Sequence, residues 1–162
     1  GALIGVIVGT YLFSKKNKFK TLIFLDVIAC VSPIGIFLGR IANFINSELV
    51  GKVSKVYWGI IFPQIDNLPR HPSQIYEALL EGLTLFIILN YILFKKNYKI
   101  GNCSYMFLIF YGIFRIISEF FREPDEQLGY FFEYLSMGTI LSIFMILAGL
   151  IILNFLKKKE KS

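Results

Sequence analysis

The chain has 162 residues, of which 56% are hydrophobic, 17% aromatic and 17% charged. Its mean hydropathy of +0.64 excludes a soluble globular domain and a disordered tail, because both need a larger share of polar side chains. The two cysteines, Cys30 and Cys103, form no CxxC motif and no Cys/His spacing. The sequence therefore indicates neither a disulfide framework nor a metal site, and we interpret both thiols as packing groups.

Four apolar runs are long enough to cross a bilayer at about 1.5 Å per residue. In chain order they are Thr21–Leu38, Gln74–Phe94, Cys103–Phe121 and Leu135–Leu156. A fifth run, residues 1–13, reaches only ~20 Å of the ~30 Å hydrocarbon core. Its basic residues follow the run, which disfavours a signal peptide, and the chain has no initiator Met. We therefore expect residues 1–162 to be one transmembrane domain, the C-terminal part of a longer chain, with a truncated first span.

Lysine and arginine are distributed unevenly around these runs. The segments Ser14–Lys20, Lys95–Asn102 and Lys157–Ser162 hold 11 of the 17 basic residues. The positive-inside tendency places them in the cytoplasm and places Gly39–Ser73 outside, as a small outward-facing loop subdomain. The sequence thus predicts an all-α fold, a polytopic integral membrane helical bundle. Because the basic clusters flank apolar runs, the net charge of +6 indicates contact with the lipid bilayer and not with nucleic acid.

Ionisable side chains crowd the predicted outward ends of the helices. Each costs about 2.5–3.5 kcal/mol at membrane depth on insertion scales, so such groups pair with one another or serve a substrate. Glu77 and Glu81 are four residues apart and repel each other on one helix face unless an arginine of another helix lies between them. We therefore predict a converging cluster of arginine and glutamate. The polar candidates at these ends are Arg40, Asn43, Arg70, His71, Glu77, Glu81, Arg115, Glu119 and Arg122.

Some of these residues also allow a simpler interpretation. Arg115 lies within an apolar run, so its guanidinium needs a buried anion, and the planar fork matches two oxygens of a lipid phosphate. Glu119 and Arg122 suit either a substrate site or an ion pair at the membrane interface. His71 stands before Pro72 and Ser73, which favours a helix cap through Ser73 over proton transfer.

Two further features lie away from these ends. Asp26 is alone within the run Thr21–Leu38, where it suits either a functional role or a hydrogen bond to a neighbouring helix. The aromatic groups Tyr57–Trp58 and Tyr130–Phe132 are typical of a belt at the membrane interface.

Four sequence blocks follow one another along most of the chain. They are GRIANFINSELVGK (Gly39–Lys52), RHPSQIYEALLEG (Arg70–Gly82), FRIISEFFREPDEQLG (Phe114–Gly129) and LSMGTILSIFMILAG (Leu135–Gly149). In this order they resemble the bacterial prolipoprotein diacylglyceryl transferase family. The first block departs mildly from the family pattern at Ala42, Ser47, Val50 and Lys52. The family also has a His-Gly-Gly motif whose continuation resembles Gly1–Gly5, and this sequence contains neither that His nor the two earlier helices of the family.

The resemblance implies transfer of the diacylglyceryl group from phosphatidylglycerol to the lipobox cysteine thiol in the signal peptide of a preprolipoprotein, without a cofactor. It also implies a multi-pass protein of the bacterial cytoplasmic (inner) membrane, with its active site toward the periplasmic face. Arg40 is then the candidate phosphate contact and Arg115 the second catalytic cation, because guanidinium groups stabilise the charge on a departing phosphate. The general base would be the His upstream of Gly1. The remaining candidates for substrate binding are Asn43, Gly51, Tyr76, Glu77, Glu119 and Arg122.

Two other functions stay open from the sequence. A membrane transporter or channel subunit would use intramembrane charges as a path, and Pro33 and Gly35 inside the run Thr21–Leu38 suit its discontinuous helices. Such a path needs polar groups through the whole membrane thickness, whereas here only Asp26 lies deep. The third alternative is an inactive lipid-binding fragment, if the base is absent.

Overall fold

The computed structural model describes residues 2–123, 130–131 and 135–161. It is mostly helical, with helices α1 (Ala2–Lys16), α2 (Thr21–Ile45), α3 (Ser73–Glu77), α4 (Leu85–Leu93), α5 (Asn102–Glu119) and α6 (Met137–Lys161). A π-helical segment, Ala78–Thr84, joins α3 to α4 without a break. Two short antiparallel pairs complete it: β1 (Ile60–Ile61) with β2 (Pro69–Arg70), and β3 (Tyr130–Phe131) with β4 (Leu135–Ser136).

Three helices among the described residues are long and apolar enough to cross a membrane: Thr21–Ile45, Ser73–Leu93 and Met137–Lys159. The sequence predicted a fourth span at Cys103–Phe121. Helix α5 occupies that place with 18 residues, about 27 Å at 1.5 Å per residue. It is less apolar than the other three because it carries Arg115, Glu119 and several hydroxyl groups. It packs against α2, α4 and α6, so these polar groups face other helices.

Helix α2 is longer than its apolar run and sets the position of the site. It continues to Ile45, seven residues past the predicted end at Leu38, so Arg40 and Asn43 lie on a helix. The connection to α3 is therefore residues 46–72, shorter than the predicted loop 39–73. Within it, the β1–β2 hairpin pairs Ile60 with Arg70. Residue 132 and the side chains of residues 130–131 lie outside the described part, so the aromatic belt at Tyr130–Phe132 stays a prediction.

The packing of α6 on α5 depends on glycines at the contact. A Cβ atom on Gly112 would lie 2.8 Å from the carbonyl oxygen of Ser142, and one on Gly149 would lie 2.9 Å from that of Tyr105. Neither distance is possible for a real side chain, so the two backbones approach closely only because these residues are glycine. Gly149 is used below as a reference for purely structural packing.

The two cysteines confirm the packing interpretation. Cys30 and Cys103 are buried with Ala29, Leu85 and Leu89 in one apolar cluster. Their thiols both donate to the carbonyl oxygen of Leu89, with Sγ to O distances of 3.8 Å and 3.7 Å. They hold α2 and α5 against α4.

Asp26 of α2 is a cap for the start of α5. Its buried carboxylate accepts hydrogen bonds from the Tyr98 hydroxyl, from the backbone N–H of Gly101 (2.5 Å) and Ser104 (2.7 Å), and from the Ser104 hydroxyl (2.5 Å). Free N–H groups and the positive end of the helix dipole favour an anion here. Of the two roles left open for Asp26, the structure thus supports the hydrogen bond to a neighbouring helix.

Replacing Asp26 with asparagine is expected to destabilise the protein by about 1–3 kcal/mol, because an amide nitrogen then faces backbone donors that have lost a charged acceptor. The thermal midpoint in detergent should fall measurably. Glu48→Gln, at an exposed carboxylate, is the matched control and should leave it unchanged. An unchanged midpoint for Asp26→Asn would contradict the cap.

Candidate functional site

Two fully buried carboxylates stand at the centre of the site. Glu77 ends α3 and Glu81 lies in the π-helical segment, and neither is exposed to solvent. A π-helical turn inside an α-helix is rare and frequently marks a functional site. The turn also brings Gly82 against α2, where a Cβ would lie 2.6 Å from Cβ of Phe37. This close approach brings α2 alongside both glutamates.

Arg40 of α2 bridges the two glutamates. Its Nε lies 3.0 Å from Oε2 of Glu77, and its Nη2 lies 3.2 Å from Oε2 of Glu81. The like-charged pair is therefore neutralised by an arginine of a neighbouring helix, as predicted. Because two different nitrogen atoms are engaged, the guanidinium plane is fixed in orientation as well as in position.

Arg115 of α5 approaches the same glutamates from another helix. Its Nη1 donates to Oε1 of Glu77 and lies 3.6 Å from Oε1 of Glu81. Its Nη2 lies 2.8 Å from Oε2 of Glu119, one turn further along α5. The Ser118 hydroxyl donates to Oε1 of Glu81 at 2.9 Å. Arg115 thus contacts three carboxylates, and the predicted need of its guanidinium for a buried anion is confirmed.

Arg122 makes Glu77 the common partner of three arginines. Its Nη1 lies 3.5 Å from Oε1 of Glu77, and its side chain is only 7% exposed. Arg122 is therefore buried beside the other arginines and does not extend to the surface as an exposed ion pair at the interface would. The predicted convergence of separate helices is confirmed. We call this set the Arg/Glu cluster, and its members are Arg40, Glu77, Glu81, Arg115, Glu119 and Arg122.

A cavity of about 340 Å³ lies beside the cluster, between α5 and α6. Arg115, Glu119 and Arg122 form its charged part, together with the hydroxyl-bearing Ser136 and Ser142. Its apolar part is formed by Met137, Leu141 and Met145 of α6. Arg40 is not among the described residues that line the cavity. The cavity therefore offers a charged end and an apolar end to one occupant, with Arg115 between the cavity and the glutamates.

The family model for prolipoprotein diacylglyceryl transferase matches residues 1–155. The chain belongs to this family. It is 53% identical over 152 residues to the phosphatidylglycerol–prolipoprotein diacylglyceryl transferase of Rickettsia akari (strain Hartford), covering 92% of this chain and 58% of the relative. The protein of the same name from Ehrlichia canis (strain Jake) is 50% identical over 165 residues, covering 99% of this chain and 63% of that relative. The chain thus spans about three-fifths of the length of the curated relatives it matches.

Two further candidates from the family resemblance, Asn43 and Gly51, lie at the edge of the cluster. Asn43 lies one turn beyond Arg40 on α2 and is half-buried. Gly51 pairs with Arg122 in an isolated β-bridge, and a Cβ there would lie 2.2 Å from the carbonyl oxygen of His71. Gly51 thus lets the connecting segment approach Arg122 closely.

Tyr76 belongs to an aromatic group next to the cluster. Its hydroxyl accepts a hydrogen bond from Nε1 of Trp58 at 2.6 Å and lies 3.2 Å from Nδ1 of His71. The expected cap through Ser73 is wrong. Ser73 is the first residue inside α3, and its hydroxyl donates to the carbonyl oxygen of Leu49 instead. The hydroxyl therefore holds the segment before Gly51 in place.

Arg70 lies outside the Arg/Glu cluster, although the sequence grouped it with the candidates. It pairs with Asp66 at 2.7 Å and Glu123 at 3.2 Å, and donates to the carbonyl oxygen of Gly51 at 3.0 Å. The Arg70 hydrogen bond holds the pKa of Asp66 below its usual value. The stabilisation from this pair is present above the unfolded-state pKa of Asp66 and is lost as pH falls through the lower folded-state value.

Sequence reasoning missed two residues at the candidate site. Ser118 donates to Glu81, and its spacing of three residues from Arg115 would have placed it on the same helix face. Gly138 lines the cavity, but a glycine in an apolar run gives no signal of what lies opposite it. Both are positioned by helix packing that the sequence alone does not reveal.

Proposed function

We propose that this protein transfers the diacylglyceryl group of phosphatidylglycerol to the lipobox cysteine thiol in preprolipoprotein signal peptides, the first step of bacterial lipoprotein maturation. The proposal places it in the bacterial inner membrane as a multi-pass bundle, with the Arg/Glu cluster toward the periplasmic face and residues 46–72 outside. The names of the curated relatives support the two substrates. The observation that carries the proposal is the pair of arginines from separate helices, Arg40 and Arg115, held on shared glutamates.

The reaction moves charge onto a phosphate. The thiol loses its proton to a base, its sulfur forms a bond to the glyceryl carbon, and the C–O bond to phosphate breaks with its electron pair on oxygen. Glycerol phosphate leaves with about one more negative charge than the diester carried. Guanidinium groups fixed before the reaction stabilise that charge, and one well-placed donor contributes about 3–4 kcal/mol.

The two arginines have different parts in this reaction. Arg40 engages the glutamates through Nε and Nη2, and among the described residues no acceptor contacts its Nη1. That atom is free to donate to a phosphate oxygen. Arg115 stands between the glutamates and the cavity, where it meets the charge of the leaving group.

The cavity supports a phospholipid as occupant. About 340 Å³ falls in the usual range of ligand pockets, roughly 300–1,000 Å³. A charged end at Arg115 and Arg122 suits the phosphate, and the apolar end at Leu141 and Met145 suits the start of an acyl chain. Asn43, Gly51, Tyr76 and Glu119 are proposed to orient the headgroup and the arginines.

A transporter or channel has less support. The one ionisable group deep in α2, Asp26, is used as a cap for α5, so it does not extend a polar path from the cluster. The assay described next distinguishes the proposed transferase from an inactive lipid-binding protein.

The test measures formation of the diacylglyceryl thioether on a lipobox peptide, by mass, with the gene product in phosphatidylglycerol vesicles. We expect Arg40→Ala to lower the rate about 10²–10³-fold, the range for loss of one charge-stabilising donor. Lys55→Ala removes an exposed cation of the same connecting segment and should match the unmodified protein. Full activity of Arg40→Ala would contradict the assignment. Lipid binding without transfer by the unmodified protein would favour the inactive lipid-binding alternative.

A further inference from the structure

Gly138, near the start of α6, lies directly against the Arg115–Glu119 ion pair. A Cβ atom at this position would be 3.0 Å from Oε2 of Glu119 and 3.2 Å from Nη2 of Arg115. The same two atoms form the ion pair at 2.8 Å. The residue also lines the cavity beside the cluster. Because glycine has no side chain, the Arg115–Glu119 pair can lie directly against the backbone of α6.

The other close-packed glycines of the α5–α6 contact meet different surroundings. A Cβ on Gly149 would meet Cγ1 of Ile109 at 2.7 Å and the backbone oxygen of Tyr105 at 2.9 Å, and one on Gly112 would meet Ile146 at 2.7 Å. These contacts involve apolar side chains and backbone alone. Among the glycines of the described α5–α6 contact, Gly138 is therefore the one placed on ionised groups.

The contacts of Arg115 with the central glutamates restrict how it can move away from a side chain at position 138. Its Nη1 is already bound to Glu77 and lies 3.6 Å from Glu81. A methyl group pressing on Nη2 and on Glu119 would therefore rotate the guanidinium or stretch its contacts with the central glutamates. Either change moves the donors that face the cavity, while the apolar part of the cavity stays as it is.

We propose that Gly138 is a positioning residue for the transfer reaction. It acts through Arg115: by leaving the Arg115–Glu119 pair in contact with α6, it sets the direction in which the guanidinium meets the departing phosphate. This inference rests on the proposed function. Because the phosphate gains charge only as the bond breaks, misalignment lowers kcat and leaves KM for phosphatidylglycerol little changed.

The first experiment compares Gly138→Ala with Gly149→Ala in the gene product, measuring kcat, KM and the thermal midpoint. Contacts at 3.0–3.2 Å displace the charged pair by a few tenths of an ångström. Since a misplacement of about 1 Å costs roughly 10²-fold in rate, we expect Gly138→Ala to lower kcat about 3–10-fold, with KM within about twofold. Gly149→Ala, whose contacts are tighter and wholly structural, should lower the thermal midpoint more and kcat less. Equal kcat for Gly138→Ala and the unmodified protein, or an equal loss of kcat in both variants, would overturn the proposal.

The second experiment makes room for the alanine side chain at position 138 by shortening the side chain that it would touch. Glu119→Asp shortens the carboxylate that the new methyl group would touch, so the fold-loss caused by Gly138→Ala should be at least threefold smaller in that background. The effect of Gly149→Ala should be the same in both backgrounds. The same cycle read by thermal unfolding reports the contact without turnover. An inactive unmodified protein would refute the proposed function, whereas additive effects in both readouts would refute the role of Gly138.

Discussion

Arg115→Lys is expected to lower kcat/KM for diacylglyceryl transfer by about 10²–10³-fold, the effect of losing one preorganised donor, although the positive charge is kept. Arg115 reaches Glu77 and Glu81 with Nη1 and Glu119 with Nη2. Lysine has a single nitrogen on a flexible stem and does not span these carboxylates. If only the local charge mattered, lysine would suffice. The exchange therefore tests geometry separately from charge.

The measurement is the rate of thioether formation at several concentrations of phosphatidylglycerol, with variants at matched abundance. Lys55→Arg makes the reverse exchange at an exposed residue and should leave the rate unchanged. An Arg115→Lys variant within tenfold of the unmodified protein would show that orientation of the guanidinium is unimportant, and the proposed stabilisation of the leaving phosphate would then lose its main support.

The members of the cluster could be predicted from the sequence because burial of charge is so unfavourable. Residues such as Arg115 within an apolar run have few acceptable environments, and pairing with carboxylates of other helices is the simplest. The spacing of Glu77 and Glu81 also required a cation between them. Composition and spacing therefore indicated which residues would meet.

The contacts that these residues make with one another could not be predicted from composition and spacing. That Glu77 contacts three arginines depends on how α2 and α5 cross α3 and on the π-helical segment. No local pattern specifies that segment, because its extra residue per turn is stabilised by tertiary contacts such as Gly82 on Phe37. Asp26 remained ambiguous for the same reason, since its donors lie more than 70 residues away in the chain.

Helix boundaries were predicted less well than the cluster. Hydropathy ended the run that begins at Thr21 at Leu38, whereas α2 continues through Arg40 to Ile45, because Arg40 finds partners within the bundle. Hydropathy also counted Cys103–Phe121 as a span. Helix α5 carries charges that are satisfied by other helices, so its average hydropathy says little about its surroundings.

Glu77→Gln is expected to be the most damaging single exchange in the cluster. Glu77 contacts Arg40, Arg115 and Arg122 and is fully buried. The three arginines and three glutamates of the cluster have a formal charge of zero, so the exchange leaves one positive charge without compensation. The glutamine amide also turns a donor toward guanidinium donors. Loss of one partner of a buried ion pair costs about 3–5 kcal/mol, and we expect transfer to fall more than 100-fold.

A charge-balancing variant separates the loss of stability caused by Glu77→Gln from the loss of transfer. In Glu77→Gln combined with Arg122→Gln, the cluster is formally neutral again, so part of the lost thermal stability should return. Transfer should stay low, because Arg40 and Arg115 still lack the carboxylate that they share. Glu119→Gln, at a more exposed carboxylate beside Arg115, is the matched control and should cost less stability. If Glu77→Gln were no more destabilising than Glu119→Gln, Glu77 would not be the residue on which the arginines are assembled.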